Sequence, residues 1–265
     1  MRIRKVRLTA LAVGLLSVSA AHAQINGLVN APRVFNDHPT STLTMVNSNS
    51  VNPGSASIDD VFTEGNAGAN RHDVLLSSNN GVSAHSFNIA DKFTVKAEVK
   101  LTDLTNAPRK EAGLRINSPV TGDVLFIINS DAGEIVAFGG GAPFKLFGKN
   151  ADGNGYTPGN TILMGFTYQG NMGMGPGTIN YFIDRDVLNP GGEDSTGPLA
   201  FDNLEKGAVN FNVAMYAQGQ SSGAGDFVNA TFNNIMFMIV PEPATLMMSM
   251  IGIVGSAFVL RRRTR

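Results

Sequence analysis

The chain contains neither cysteine nor tryptophan. Without cysteine there can be no disulfide, no thiolate metal ligand and no thiol nucleophile, so the fold must rest on its apolar core. Without tryptophan, any stacking on a ligand falls to phenylalanine or to the four tyrosines, Tyr156, Tyr168, Tyr181 and Tyr216. At strand positions such rings more often serve the core or a sheet face. Helical periodicity is missing as well: no segment between the termini repeats its apolar residues at helical spacing over three turns. The four histidines (His22, His38, His72, His85) lack metal-type spacing, and surface or capping roles are the simpler reading for the last three. Gly219-Gln220-Ser221-Ser222-Gly223 fits G-x-S-x-G. A nucleophile elbow, however, needs a following helix and a later histidine, and neither is present, so the stretch reads as a flexible loop.

The two ends are far more explicit. Arg2, Arg4, Lys5 and Arg7 precede an apolar run from Leu8 to Val18, and Ala21-His22-Ala23 forms an A-x-A cleavage site. That pattern is a secretory signal peptide, residues 1–23, with the mature chain beginning at Gln24 after signal peptidase. At the other end, Pro241-Glu242-Pro243 can continue neither strand nor helix, because neither proline donates a backbone N–H. Ala244 to Leu260 is an uncharged run of 17 residues, followed by Arg261, Arg262, Arg263 and Arg265. As a helix it would reach roughly 25 Å, enough to read as one short transmembrane span, 244–260. The arginines act as a topology stop that stays cytoplasmic and leaves the body on the far side.

A Pro-Glu-Pro triplet, one span and a terminal arginine cluster together resemble the PEP-CTERM sorting signal of Gram-negative surface proteins, here residues 240–265. Pro241, Glu242 and Pro243 carry the motif, and Ala244-Thr245-Leu246 matches its usual continuation. The resemblance implies processing by an exosortase-like membrane peptidase during export, often alongside exopolysaccharide production. Localisation would then be the envelope before processing and the cell surface or extracellular matrix after it.

Removing both ends changes the charge balance. Eight of the 20 basic residues and only Glu242 among the 21 acidic ones lie in the ends, so residues 24–240 hold 12 basic against 20 acidic, a net charge of −8. An acidic body repels nucleic acid and anionic lipid, which excludes both as partners. It would also repel acidic polysaccharide unless a divalent cation bridged them.

The body, residues 24–239, is long enough for one β domain. Residues 25–57, rich in Asn, Ser and Thr, read as a short first strand and a long surface arm. Phe93 to Leu101 is the clearest strand, with Phe93, Val95, Ala97, Val99 and Leu101 on one face and Thr94, Lys96, Glu98 and Lys100 on the other. Further strand-length runs fall at 73–76, 113–117, 124–129, 135–138, 144–147, 162–168, 179–183, 211–217 and 232–240, separated by Gly- and Asn-rich turns. Many short strands argue an all-β, two-sheet β-sandwich of jelly-roll type. Thr161 to Tyr168, a Gly/Met loop from Gly170 to Gly177, and Ile179 to Asp184 resemble the central hairpin of concanavalin-like, laminin-G-type jelly rolls. Arg185 stands where those domains often have glycine. Ala230 to Ile235 similarly resembles the closing strand of sugar-binding jelly rolls. The resemblance implies a fold; for function it is analogy.

Few residues in the body suggest chemistry. The E-x-D-x-x-E strand of laminarinase-type glycosidases is absent. Asp184 and Asp186 could share a face, and Asp131 and Glu134 flank a turn, but solvated turn acids are the default. Asn150, Asp152 and Asn154 occupy the first, third and fifth positions of a calcium-like loop with Gly155 at the sixth. Position one is neutral and position twelve is Thr161, so an Asx-rich turn competes with a structural calcium site. The functional expectation is therefore a non-enzymatic, exported β-sandwich of the matrix or of adhesion, in contact with carbohydrate. One alternative is a polysaccharide-cleaving hydrolase or lyase on the same fold. Another is a tail-anchored structural surface protein with no ligand.

Overall fold

The computed structural model describes residues 24–120, 122–170, 177–189, 191–201 and 210–240. Among them are the strands β1 (Gly27–Asn36), β2 (Thr42–Asn47), β3 (Gly54–Val61), β4 (Asn66–Ser77), β5 (Phe87–Asn88), β6 (Lys92–Asp103), β7 (Lys110–Ser118) and β8 (Gly122–Asn129). They continue as β9 (Ile135–Phe138), β10 (Lys145–Gly148), β11 (Thr161–Gln169), β12 (Thr178–Asp184), β13 (Asp194–Ser195), β14 (Leu199–Ala200), β15 (Asn210–Ser221) and β16 (Phe227–Ile239). A 3₁₀ turn spans Asn150–Asp152.

The strands form two sheets. The first runs β1-β4-β15-β7-β8-β9-β10, with β5 beside β15; the second runs β13-β12-β11-β6-β16-β3-β2, with β14 beside β12. Neighbouring strands pair antiparallel throughout. The architecture is thus an all-β, two-sheet antiparallel sandwich.

The alternation on β6 shows why the sheets face each other. Phe93, Val95, Ala97, Val99 and Leu101 are buried, while Thr94, Lys96, Glu98 and Lys100 between them stay half-exposed on the outer side. The same period of two buries Ile162, Met164, Phe166 and Tyr168 on β11 and Phe211, Val213, Met215 and Ala217 on β15. One end of the core is aromatic: Phe87 lies 4.5 Å from Phe93 and 5.7 Å from both Phe211 and Phe237, centroid to centroid, and Tyr168 lies 5.2 Å from Phe211. Each such ring contributes about 1.5–3 kcal/mol by leaving water, which is how a core without tryptophan or disulfides holds together.

Two polar groups of residues cross the interior. On the inner faces of β3 and β4, Asp60 Oδ2 accepts hydrogen bonds from His72 Nε2 (3.0 Å) and Asn70 Nδ2 (2.7 Å). His72 Nδ1 accepts the backbone N–H of Arg33, so the ring carries its proton on Nε2. Elsewhere, fully buried Lys110 donates from Nζ to Asp226 Oδ2 (2.9 Å) and to the carbonyl and hydroxyl of Thr105.

Several expectations are corrected. Residues 25–57 are not an arm: β1 forms one edge of the first sheet, β2 forms one edge of the second, and β3 lies inside the second sheet against β16. Their Asn, Ser and Thr mask the pattern because outward positions dominate there. His38 and His72 are wholly buried, not on the surface: the His38 ring meets the Gly68 carbonyl through Nε2 and its backbone N–H donates to Asn70, while His72 meets Asp60 inside the sandwich. The G-x-S-x-G stretch is no flexible loop. Gly219 to Ser221 complete β15, and Asp226 pins the following turn by accepting the N–H and hydroxyl of Ser222.

The cleavage site (Ala21, Ala23), Pro241-Glu242-Pro243, the span 244–260, the terminal arginines and most of the Gly/Met loop lie outside the described residues. No helix among the described residues is long and apolar enough to cross a membrane.

Candidate functional site

The outer face of the first sheet carries a nearly buried lattice of charge. In strand register, Arg71 on β4 stands beside Gln218 on β15, Gln218 beside Glu111 on β7, and Glu111 beside Asn129 on β8. The next row brings together Asp73, Tyr216, Gly113 and Ile127, and the one beyond it Ala214, Arg115 and Leu125. All of these residues point away from the core because their strand neighbours, such as Val74, Met215 and Leu114, point into it.

Arg71 is held on four sides. Its Nε donates to Gln218 Oε1 (2.8 Å), Nη1 donates to Asp123 Oδ2 (2.6 Å), and its guanidinium lies 4.4 Å from the Phe35 ring and 5.4 Å from that of Tyr216. Arg115 donates to Asp73 and, from Nη2, to Asp123 Oδ1 (2.7 Å). Burial pushes the Asp73 carboxyl up, against the pull of Arg115 and Arg71. Two groups of this lattice, Arg115 Nε and Asp73 Oδ1, are buried without a hydrogen-bond partner. An unpaired buried donor or acceptor carries a desolvation cost that a partner would relieve.

Beside the lattice, Tyr216 donates its phenol proton to Glu111 Oε2 (2.8 Å), and Glu111 accepts from Arg109 Nε (2.5 Å). Burial, reinforced by the Glu111 charge, raises the Tyr216 pKa well above that of an ordinary tyrosine. A small apolar cluster of Leu125, Ile127, Val136 and Tyr216 completes the face, with Phe138 and Leu146 packed on it. Gly113 sits at its centre because a Cβ there would lie 2.1 Å from the Phe126 carbonyl oxygen, closer than any side chain tolerates.

The residues singled out in the sequence fall elsewhere. Asn150 and Asp152 lie in the exposed 3₁₀ turn, and the Asn150 side chain is turned toward Gly133 and Gly155. Among the described residues no three His, Cys, Asp or Glu side chains converge on a metal position. Asp184 accepts the N–H groups of Asp186 and Gly191, and Asp186 accepts those of Leu188 and Asn189, so both carboxylates are engaged in their own turns. Asp131 and Glu134 both face Arg109, at 3.8 and 3.4 Å. All four tyrosines are buried, so none offers a ring to solvent; the exposed phenylalanines Phe35, on β1, and Phe144, just before β10, lie toward opposite edges of the sheet instead. Sequence reasoning missed Arg71, Arg115, Asp123 and Gln218. Their only signal was charge at alternate strand positions, which looks the same on any solvated face.

Residues 240–263 match the PEP-CTERM protein-sorting motif. The motif indicates export and exosortase-mediated sorting to the cell surface. Comparison with curated protein sequences gave no match. Among solved structures, the chain is similar to the alginate lyase AlgAT5 of polysaccharide lyase family 7, at 12% identity and a TM-score of 0.48, over 71% of this chain and 79% of that one. It is likewise similar to the alginate lyase from Corynebacterium sp. (11%, TM-score 0.48, 69% and 77%) and to the Bauhinia forficata lectin complexed with GalNAc (10%, TM-score 0.44, 82% and 100%). Likeness this loose says nothing of ligand or activity.

Proposed function

We propose that this is an exported surface or matrix protein whose sandwich binds polysaccharide, without cleaving it, across the outer face of the first sheet. The observation that carries the reading is the register-aligned lattice on that face, in which partly exposed Gln218 and Asp123 lie over Arg71 and Arg115 with exposed Phe35 at one side. Sugar hydroxyls need donors and acceptors held at fixed spacing, and an exposed ring beside them covers the apolar face of a pyranose. A binding role is supported over a cleaving one by the chemistry of the acids and of Tyr216. The phenol gives its proton to Glu111 and resists ionisation, which makes it a poor base. Asp184 and Asp186 are taken up by turns.

The test is a panel of bacterial polysaccharides presented to the exported protein, with and without calcium. Binding to at least one is expected, weakened roughly tenfold or more by Phe35→Ala with Gln218→Ala, and accompanied by no new reducing or unsaturated ends. Failure to bind any member removes the carbohydrate reading, and release of new ends removes the non-catalytic one.

A further inference from the structure

The lattice contains an unusual inequality of burial. Arg71 and Arg115 come from strands separated by β15, and both side chains are only 6% exposed. The carboxylate they share is not buried with them: the Asp123 side chain is 26% exposed. One Asp123 oxygen takes Arg71 Nη1 and the other takes Arg115 Nη2, so the two guanidiniums form a fork around a single carboxylate at 2.6 and 2.7 Å. The partners that orient the fork do not depend on Asp123. Gln218 and the Phe35 and Tyr216 rings fix Arg71, and Asp73 fixes Arg115.

Asp123 itself enters from an open corner. It is the second residue of β8 and follows Gly122, which has φ +79° and no atom within 4 Å of where a Cβ would stand. The fork also retains unused capacity, since Arg115 Nε is a buried donor with no acceptor. An unpaired buried donor carries its full desolvation cost, which an incoming carboxylate with two acceptor oxygens would relieve.

We infer that Arg71 and Arg115 form a carboxylate-binding fork for an acidic sugar, and that Asp123 is its resident stand-in, displaced when a ligand carboxylate enters. This rests on reading the outer face of the first sheet as the binding surface. It also locates an exception to the body's net negative charge: an acidic polymer is repelled at long range, yet finds two preorganised guanidiniums once Asp123 swings away. In the exchange one carboxylate replaces another between the same two arginines, while the displaced Asp123 charge moves out to solvent beside them.

Chemical rescue tests the inference independently of polymer binding. The exported protein carrying Asp123→Ala, purified in mild detergent, should melt roughly 5 °C or more below the parent because two buried guanidiniums lose their shared partner. Sodium glucuronate at 100 mM should then raise its melting temperature by roughly 3–6 °C over sodium chloride at equal ionic strength, as for a ligand with a Kd of about 10 mM. Asp131→Ala, which leaves the fork filled, should gain nothing beyond the chloride control. If Asp123→Ala does not fold, the parent protein is titrated with glucuronate while the Gly122 and Asp123 amide resonances are followed; shifts there, absent with glucose, support the fork.

No stabilisation of Asp123→Ala beyond chloride, or no shift in the parent, overturns the inference. Hippurate, a peptide-like carboxylate, stabilising more than glucuronate overturns the assignment to sugar. Rescue without any polysaccharide binding would leave the fork standing and remove the broader functional reading; polysaccharide binding without rescue would do the reverse.

Discussion

Tyr181 and Tyr156 allow the same substitution to be predicted with opposite signs. Both rings are buried in the one core. The Tyr181 hydroxyl, on β12, has no hydrogen-bond partner, and burial pushes its ionisation far up. Tyr156 is the reverse. Its oxygen accepts the Leu101 N–H at 2.8 Å, and its proton is directed at the carbonyls of Asn160 (2.7 Å) and Leu101 (3.1 Å). It thereby completes the β6 ladder just where β11 begins at Thr161, one position short of Leu101.

Tyr181→Phe removes an unpaired hydroxyl whose burial costs about 1–3 kcal/mol. It leaves a void of about 15 Å³, worth about 0.4 kcal/mol at 24 cal/mol per Å³. The net expectation is stabilisation by about 0.6–2.6 kcal/mol, a rise in melting temperature of roughly 1–10 °C for a domain of this size. Tyr156→Phe, which pushes no polar group out of the core but orphans the Leu101 N–H, should cost about 1.5–3 kcal/mol by the same accounting. Its phenol pKa, raised by burial to about 12, lies far enough from neutrality that the comparison is free of titration at pH 7. Calorimetry of both variants beside the parent decides the matter. Destabilisation of Tyr181→Phe by more than about 0.5 kcal/mol would refute the claim that its hydroxyl is unpaired. Equal effects from the two variants would refute the role given to hydrogen bonding.

Lys110→Met should destabilise the sandwich by about 3–5 kcal/mol, because it strands the buried Asp226 carboxylate, and adding Asp226→Asn should recover part of that loss; denaturant midpoints measure both. Asp60 sets an acid limit on stability. Burial opposes its ionisation, but hydrogen bonds from His72, Ser41 and Asn70 outweigh it and hold the pKa below the ordinary value of 3.8. Its stabilising contribution is therefore complete above that value and lost as pH falls through the lower folded-state pKa. Stability measured in urea from pH 5 to pH 2 should fall steeply in the parent and less steeply in Asp60→Asn; parallel curves would assign the acid limit to other carboxylates.

The sequence by itself carried the sorting motif and the two-sheet β architecture. The Pro-Glu-Pro tail is a contiguous pattern, legible because a sorting motif is read along the linear chain. The strand alternation of Phe93 to Leu101 was equally local, and its buried and wet faces emerge as read. What the sequence could not determine was which outward-facing charges meet. Arg71, Arg115 and Asp123 lie on three strands, the first and last 52 positions apart in sequence. Gln218 is 147 residues from the Arg71 it orients. Antiparallel pairing of β4 with β15 and of β15 with β7 brings them into one lattice, and only the register of those pairs decides that they touch. The inner histidines were misjudged for the same reason: His72 is buried because Asp60 arrives from the opposite sheet to receive it. Local pattern decides which side of a strand a residue takes; the partner across the sheet or the sandwich decides what that residue can do.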